Sequence, residues 1–594
     1  MIMKNFIKTT LLVLALMLPA TATAHDFEAD GIYYKIAGTG VIVTYKGDSY
    51  SAYKEYSDTV VIPESVTHDD VTYQVKLIDW YAFRDCSELT HVILPNTITR
   101  ICLEAFNGCS SLVSVVIPNS LTTLDSGAFR GCSSLESITL PNTIKTIENS
   151  VFDGCSSLTH VTIPNSVTSI KGFAFARCSQ LTDVTIPSSV TSIEQYAFHQ
   201  CISLTSMVIP SSVTSIGCAV FSGCDELESL RVDADNPIYD SRENCNAIIE
   251  TSTNKLVAGS NKAFIPNTVV SINNLAFYFC RNIRSINIPN TVTFIGAEAF
   301  GCCYELESVT LPDSITTIYE ETFSNCRSLK EIVIPSTVTS IRSMAFEHCD
   351  SLEYLIIPKS VTGIGDYPFR GCGSLTSITV EEGNPTFDSR ENCNAIIKTS
   401  TNALILGCMN TVIPNSVTLI GKYAFQGCKH LTSITIPDHV TRINDGAFMG
   451  CSSLESITLP GRLSYIAEAT FYNCKALKSI TCLAINPPYI DVSQYCPTFD
   501  SSVYRKTKVY VPNASITAYK EAKEWKRFYL YYGIMNVVFG DFNGDGKVSI
   551  SDITTMIDLL LRGGELPDYA DLNNDGTVTI SDLTVLIDLL LNSN

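Results

Sequence analysis

Apolar residues recur along this chain with a period of 23. One copy runs through Leu158, Val161 and Ile163, with His160 and Thr162 between them, then Pro164, then Val167, Ile170, Ala174, Phe175 and Cys178. The alternation predicts a short strand whose side chains point by turns inward and outward. Pro164 ends it, because proline lacks the amide proton that a longer ladder needs. Phe83, Phe106, Phe129, Phe152, Phe175, Phe198 and Phe221 keep the 23-residue step; the series resumes from Phe277 to Phe369 and from Phe425 to Phe471, giving fifteen copies. A constant period in the twenties belongs to a solenoid, in which one coil is too small to bury its own apolar face and stacks on its neighbours. Strands joined by a whole coil run parallel, and their inner face needs cover. Val167, Ile170, Ala174, Phe175 and Cys178 supply it from the opposite wall.

The repeated order Leu-x-x-Val/Ile-x-Ile/Leu-Pro-x-x-Val/Ile-x-x-Ile-x-x-x-Ala-Phe-x-x-Cys resembles the 23-residue, BspA-type class of leucine-rich repeats over roughly residues 60 to 482. That class occurs in bacterial surface and secreted proteins. The resemblance implies adhesion to host or extracellular-matrix proteins or other surface ligands.

Two inserts interrupt the series. Phe221 to Phe277 and Phe369 to Phe425 are each 56 residues, one repeat plus 33. Residues 240–249 recur unchanged as 388–397, and both copies continue with Thr-Ser-Thr-Asn and a second apolar run. Each insert therefore predicts a β-hairpin, projecting from the solenoid or laid along it. Duplication of a 148-residue block explains the identity, and a repeated binding element is the other reading. Cys408 faces Cys393 across the second hairpin, whereas the first carries Ser260, so a bridge is not intrinsic to the element.

The formal net charge of −20 argues against a nucleic-acid partner, which needs clustered Lys and Arg. Near the start, Lys4 and Lys8 precede an apolar run at 11–18 and the small residues Ala22-Thr23-Ala24, the pattern of a secretory signal peptide. No later segment has the ~20 apolar residues of a transmembrane helix. Of 23 cysteines, fifteen occupy one repeat position, where each is expected to be reduced and buried as a small apolar residue. Cys482 and Cys496, which are off register, are the candidate bridge. Residues 25–75 and the segment after Leu483, with Tyr519, Trp525 and Phe528, read as end pieces that cover the terminal coils.

Between the inward residues of the strands lie mostly Ser and Thr, such as Ser137 and Thr139, or Ser433 and Thr435. Small hydroxyl side chains suit any solvated sheet. Arg231, Asn287, Glu331 and Tyr354 break the pattern; Tyr354 beside Ile356, near Glu331, forms the candidate protein-contact patch.

The most specific chemistry comes last. Asp541, Asn543, Asp545, Lys547, Ser549 and Asp552 stand at positions 1, 3, 5, 7, 9 and 12 of a twelve-residue loop. Asp571, Asn573, Asp575, Thr577, Thr579 and Asp582 repeat the scheme 30 residues on. Side-chain oxygens at 1, 3, 5, 9 and 12, a backbone carbonyl at 7 and Gly546 or Gly576 at the sharp turn suit Ca²⁺. Each loop runs into an apolar helix. This tandem looks like a type I dockerin, a fit strengthened by Asp rather than Glu at position 12. The resemblance implies two calcium ions and a cohesin partner contacted through Ile550-Ser551 and Ile580-Ser581, identical pairs that would permit docking in either of two orientations.

The expected fold is an α/β repeat: a leucine-rich repeat solenoid with a parallel β-sheet and two β-hairpin insertions, plus a small α-helical calcium-binding domain of the dockerin, F-hand type. Its expected order is signal peptide 1–24, N-terminal β cap 25–75, repeats 76–482 with insertions at about 233–265 and 381–413, cap and linker 483–536, and dockerin 537–594. No His-Glu-x-x-His, Gly-x-Ser-x-Gly or phosphate-binding glycine loop is present. The chain is expected to be a secreted, non-catalytic binding protein; the alternative is an accessory subunit of a cohesin-based polysaccharide-degrading complex.

Overall fold

A computed structural model describes residues 24–51, 54–491, 497–534, 549–562, 570, 572 and 578–591. The apolar run at 11–18 and Cys496 lie outside them. The chain divides into two compact units, residues 1–329 with 340–346, and residues 330–339 with 347–594.

In the first unit, strands pair parallel with their equivalents one period away. Ser137 lies opposite His160 and Thr139 opposite Thr162, and Ser206 lies opposite Ser229. The ladder begins before the first full repeat, where Asp58–Val61 pairs with Leu89–Ile93, which pairs with Ser114–Val116. A second wall is built from two-residue strands that end on the Ile or Leu before the turn, as in Thr123–Leu124, Ser169–Ile170, Ser192–Ile193 and Ser215–Ile216. Residues 27–44 form an antiparallel meander that joins this second ladder, because Gly40–Thr44 pairs parallel with Val71–Ile78.

The third wall consists of turns bonded from coil to coil. Phe83 donates its N–H to Ala105 O at 2.7 Å, and Phe106 does so to Ala128 O at 2.8 Å. Tight turning here requires left-handed backbone. The residue two before the ladder phenylalanine and the residue before the ladder cysteine have positive φ in all fifteen copies, including Tyr196 (58°), Arg177 (60°) and Gly154 (79°). Bulky residues in that region cost about 1–2 kcal/mol each, and the stacking on both sides imposes it.

The core is a set of columns. Phe83, Phe106, Phe129, Phe152, Phe175, Phe198 and Phe221 are buried and stacked, with neighbouring ring centroids 4.7 to 6.0 Å apart. Ladder cysteines are buried free thiols. They do more than fill space: Cys109, Cys155 and Cys201 donate to the carbonyls of Phe83, Phe129 and Phe175 at 2.9, 3.2 and 3.1 Å. Serines after the proline also work between coils, since the Ser166 and Ser189 hydroxyls donate to Ile144 and Val167 carbonyls at 2.6 Å.

Each insert is a three-stranded antiparallel meander laid into the stack. In the first, Tyr239–Asp240 pairs with Ala247–Glu250, which pairs with Lys255–Gly259; the last strand then pairs parallel with Ser271–Ile272. A Cβ on Gly259 would lie 2.0 Å from the Phe277 ring, so glycine lets the hairpin take a coil's place against that column. Asp240 receives Nε and Nη2 of Arg242 at 2.8 and 2.6 Å, while Nη1 donates to Asn254 at 2.7 Å.

In the second unit the same network joins Asp388, Arg390 and Asn402. Ser260 and Cys408 occupy equivalent places, donating to the carbonyls of Asn246 and Asn394 at 3.1 and 3.5 Å. The phenylalanine column runs from Phe425 through Phe448 and Phe471 to Phe499. Main-sheet pairing continues past the repeats, from Ser479–Cys482 to Lys508–Pro512 and then Leu530–Ile534. Tyr519 and Trp525 are fully buried here; the Tyr519 hydroxyl and Trp525 Nε1 donate to Ala484 and Pro488 carbonyls at 2.8 Å.

Cys482 corrects the expectation of a bridge. It is a free, buried thiol whose sulfur lies 3.1 Å from the Tyr519 hydroxyl oxygen, because strand 479–482 turns it into the core beneath the end piece. Among the described residues, helix is confined to the C-terminal part, at Ser501–Lys506, Ile516–Glu521, Ile550–Arg562 and Ile580–Leu591, apart from single 3₁₀ turns.

Candidate functional site

The two C-terminal helices start alike. Asp552 and Asp582, three residues after Ser549 and Thr579, are fully buried. Oδ2 of Asp552 accepts the N–H of Ser549, and Oδ2 of Asp582 that of Thr579, both at 2.8 Å. Returning the favour to the first turn, Ser549 Oγ and Thr579 Oγ1 accept from the N–H of Ser551 and Ser581 at 3.2 Å. This reciprocal capping orients both carboxylates rigidly. A buried carboxylate needs charge partners, and an acceptor fixed at loop position 12 fits a calcium ligand. Asp541, Asn543, Asp545 and Lys547, and Asp571, Asn573, Asp575 and Thr577, lie outside the described residues.

Ile550 and Ile580, the first helical residues, stand 76% and 75% exposed. Ser551 and Ser581 beside them are also exposed. Ser549, Ile550, Ser551 and Ile553 meet Ile587, Leu590 and Leu591 around a shallow, largely apolar hollow. Met556, Leu572 and Leu586 form the module's small core.

On the repeat face, Tyr354 and Ile356 lie on strand Tyr354–Ile357, both pointing outward and 55% and 56% exposed. Glu331, one period earlier and exposed, precedes them on a neighbouring coil tied by the Glu353 N–H to the Lys330 carbonyl at 3.0 Å. Val333, one period before Ile356, is 80% exposed and completes an apolar step that residue-by-residue reading overlooked. A second such step was also overlooked. Val61, Ile93 and Val116 lie opposite one another on adjacent strands and are all exposed. The sequence carries the signal: Val92-Ile93-Leu94 and Val115-Val116-Ile117 are unbroken apolar triplets where other copies read Ile-Thr-Leu.

Stacked short parallel strands closed by turns define a leucine-rich repeat solenoid. Residues 76–204, 146–248, 248–376 and 405–502 match the BspA type leucine rich repeat region, and the chain belongs to that family. Residues 539–591 match the dockerin type I domain. Dockerin type I domains are calcium-binding modules that dock onto cohesins, and both families are typically extracellular or surface-associated and non-catalytic. No helix among the described residues is long and apolar enough to cross a membrane.

A leucine rich cell surface protein from Faecalibacterium prausnitzii A2-165 is 32% identical, with 62% of this chain and 97% of that chain covered at a TM-score of 0.52. A leucine-rich repeat protein from Bacteroides ovatus ATCC 8483 is 23% identical over 82% of this chain and 100% of its own, with a TM-score of 0.31. The pneumococcal vaccine antigen PcpA is 17% identical over 77% and 93%, with a TM-score of 0.37. The comparison with curated proteins gave no match.

Proposed function

We propose that this chain is an exported, non-catalytic binding protein. Its repeat face engages a protein, and its C-terminal module holds two calcium ions and docks onto a cohesin. The observation that carries the docking half is the doubled helix start: Ile550-Ser551 and Ile580-Ser581 are presented to solvent by the same capping geometry. Exposed aliphatic side chains in register at Val61, Ile93 and Val116, and one period apart at Val333 and Ile356, support the protein-binding half, since such surface is what interface cores are made from.

A second reading, an accessory subunit with little ligand affinity of its own, draws support from the other strands. The outward residues of Ser137–Thr139 and Ser308–Thr310 are small hydroxyls alone. Full-length protein passed over immobilised cohesin, with calcium or with chelator, tests docking; retention only with calcium is expected, and no retention in either buffer would remove it. Passing the same protein over matrix proteins and plant polysaccharides separates the two readings: retention by a protein supports adhesion, and retention by cohesin alone supports the accessory role.

A further inference from the structure

The C-terminal end of the main sheet is built differently from the rest of the chain. Residues 501–534 contain seven Lys or Arg and two Glu, in a chain whose formal net charge is −20. All seven cations are exposed, while Glu524 is buried between the Tyr504 hydroxyl and Arg527, at 2.9 and 2.8 Å. Two of the cations stand beside Leu530–Ile534, the last strand of its five-stranded sheet: Lys508 is the register partner of Leu530, and Arg505 follows Tyr504, whose carbonyl accepts the Tyr529 N–H at 3.2 Å. The strand's inner edge pairs with Lys508–Pro512. Among the described residues its outer edge has no backbone partner.

Sheet edges of this kind are normally blunted by Lys, Pro, a bulge or a covering loop. Leu-Tyr-Tyr-Gly-Ile has neither Lys nor Pro, and pairs without a register shift. Tyr531 turns inward, its hydroxyl donating to the Trp525 carbonyl at 2.6 Å. Outward, Tyr532 stacks on Tyr510 at 5.3 Å, with Lys508 Nζ 5.9 Å over its ring. Tyr529, just before the strand, is 71% exposed.

We infer that the outer edge of Leu530–Ile534 is a docking site for an extended, acidic peptide segment of a partner protein. The segment adds a further strand, its backbone satisfying the open edge and its carboxylates facing Lys508 and Arg505. Strand addition draws affinity from main-chain bonds and selectivity from alternate side chains. An edge with a flat aromatic face and cations on its flank selects for both together. A polysaccharide or other non-peptide polyanion would use the charge and leave the ladder unmade. The proposal rests on neither the candidate contact patches of the repeats nor the calcium module.

The test uses full-length protein and a labelled peptide of alternating Glu and Val, read by fluorescence anisotropy. Binding is expected, with none for the Lys-Val counterpart. Methylating alternate peptide nitrogens should weaken binding about tenfold or more by removing ladder donors. Lys508→Glu with Arg505→Glu should weaken it comparably with an unchanged melting temperature. Equal binding of the methylated peptide, or of dextran sulfate in its place, would overturn the proposal in favour of a general anion surface. Self-association on sedimentation that excludes the peptide would overturn it in favour of a second copy. If the charge-reversed variant fails to fold, the methylated peptide decides on the unmodified protein.

Discussion

The thiol of Cys178 donates to the carbonyl oxygen of Phe152, 26 residues earlier, at 3.2 Å. Cys109, Cys132, Cys155, Cys201 and Cys224 make the same bond, so the ladder cysteine there is a donor as well as a filler. Removing it in Cys178→Ala deletes buried volume and a bond, and should cost about 1–2 kcal/mol by urea unfolding. Cys178→Ser keeps a donor on the same Cβ and should be no worse than alanine. A serine variant clearly less stable than the alanine variant would assign the position to packing alone.

These thiols also fix a pH dependence. Burial pushes Cys86 and Cys482 up to about 11, and Cys474 up to about 12, from an ordinary value of 9.0. A group whose folded pKa is raised contributes stability that is full below its unfolded value and disappears as pH climbs through the folded one. Thermal stability should therefore hold to about pH 9 and fall steeply between there and the folded values. Thiol-reactive dye should label few cysteines in the native protein below that pH and nearly all in denaturant. Fast labelling of ladder thiols in native protein at neutral pH would contradict the burial on which this rests.

Gly154 isolates the backbone's share. Its φ is +79°, and an added Cβ would come no closer than 3.6 Å to Gly131. Gly154→Ala should therefore cost about 1 kcal/mol through conformation alone. A neutral result would mean that the stacked coils tolerate left-handed alanine freely.

How much was legible in the sequence follows from which features leave a periodic mark. The 23-residue phenylalanine and cysteine steps write the parallel register directly, and Ser137 lies opposite His160 as that step demands. Left-handed backbone at Tyr196 or Arg177 leaves no trace, because neither residue type favours it and only stacking enforces it. The second ladder at Ser169–Ile170 was hidden by its two-residue length. Phe499 was missed because it extends its column 28 residues after Phe471, outside the period. At the candidate sites, motif spacing pointed to Asp552 and Asp582 but said nothing of their capping role, which depends on where each helix begins. The open edge at Leu530–Ile534 is a property of pairing, and no single strand's sequence states it.

Arg242 and Arg390 should anchor the two inserts equally. Each grips its Asp through two nitrogens and reaches an Asn across the hairpin. Arg242→Ala should loosen residues 247–259 by about 1–2 kcal/mol, seen as faster amide exchange confined to that hairpin. Cys408→Ser should leave the second insert unchanged, since Ser260 already fills that role in the first. Global unfolding on loss of Arg242 would show the insert to be a necessary coil of the stack.

The doubled helix start makes the sharpest prediction about docking. Ser549, Ile550, Ser551 and Asp552 and the set Thr579, Ile580, Ser581 and Asp582 make matching capping bonds, 30 residues apart. If a cohesin accepts either start, Ile550→Asp alone removes one of two equivalent orientations, a change of about twofold in affinity by simple statistics. Ile580→Asp alone should do the same. The double variant removes both anchors and should lose about thirtyfold or more, the scale of a lost hot spot. Calcium titration of the double variant must remain that of the parent, because neither isoleucine donates an oxygen from its side chain. Loss of binding in one single variant and none in the other would assign docking to one fixed orientation, and make the second copy a structural partner of the first.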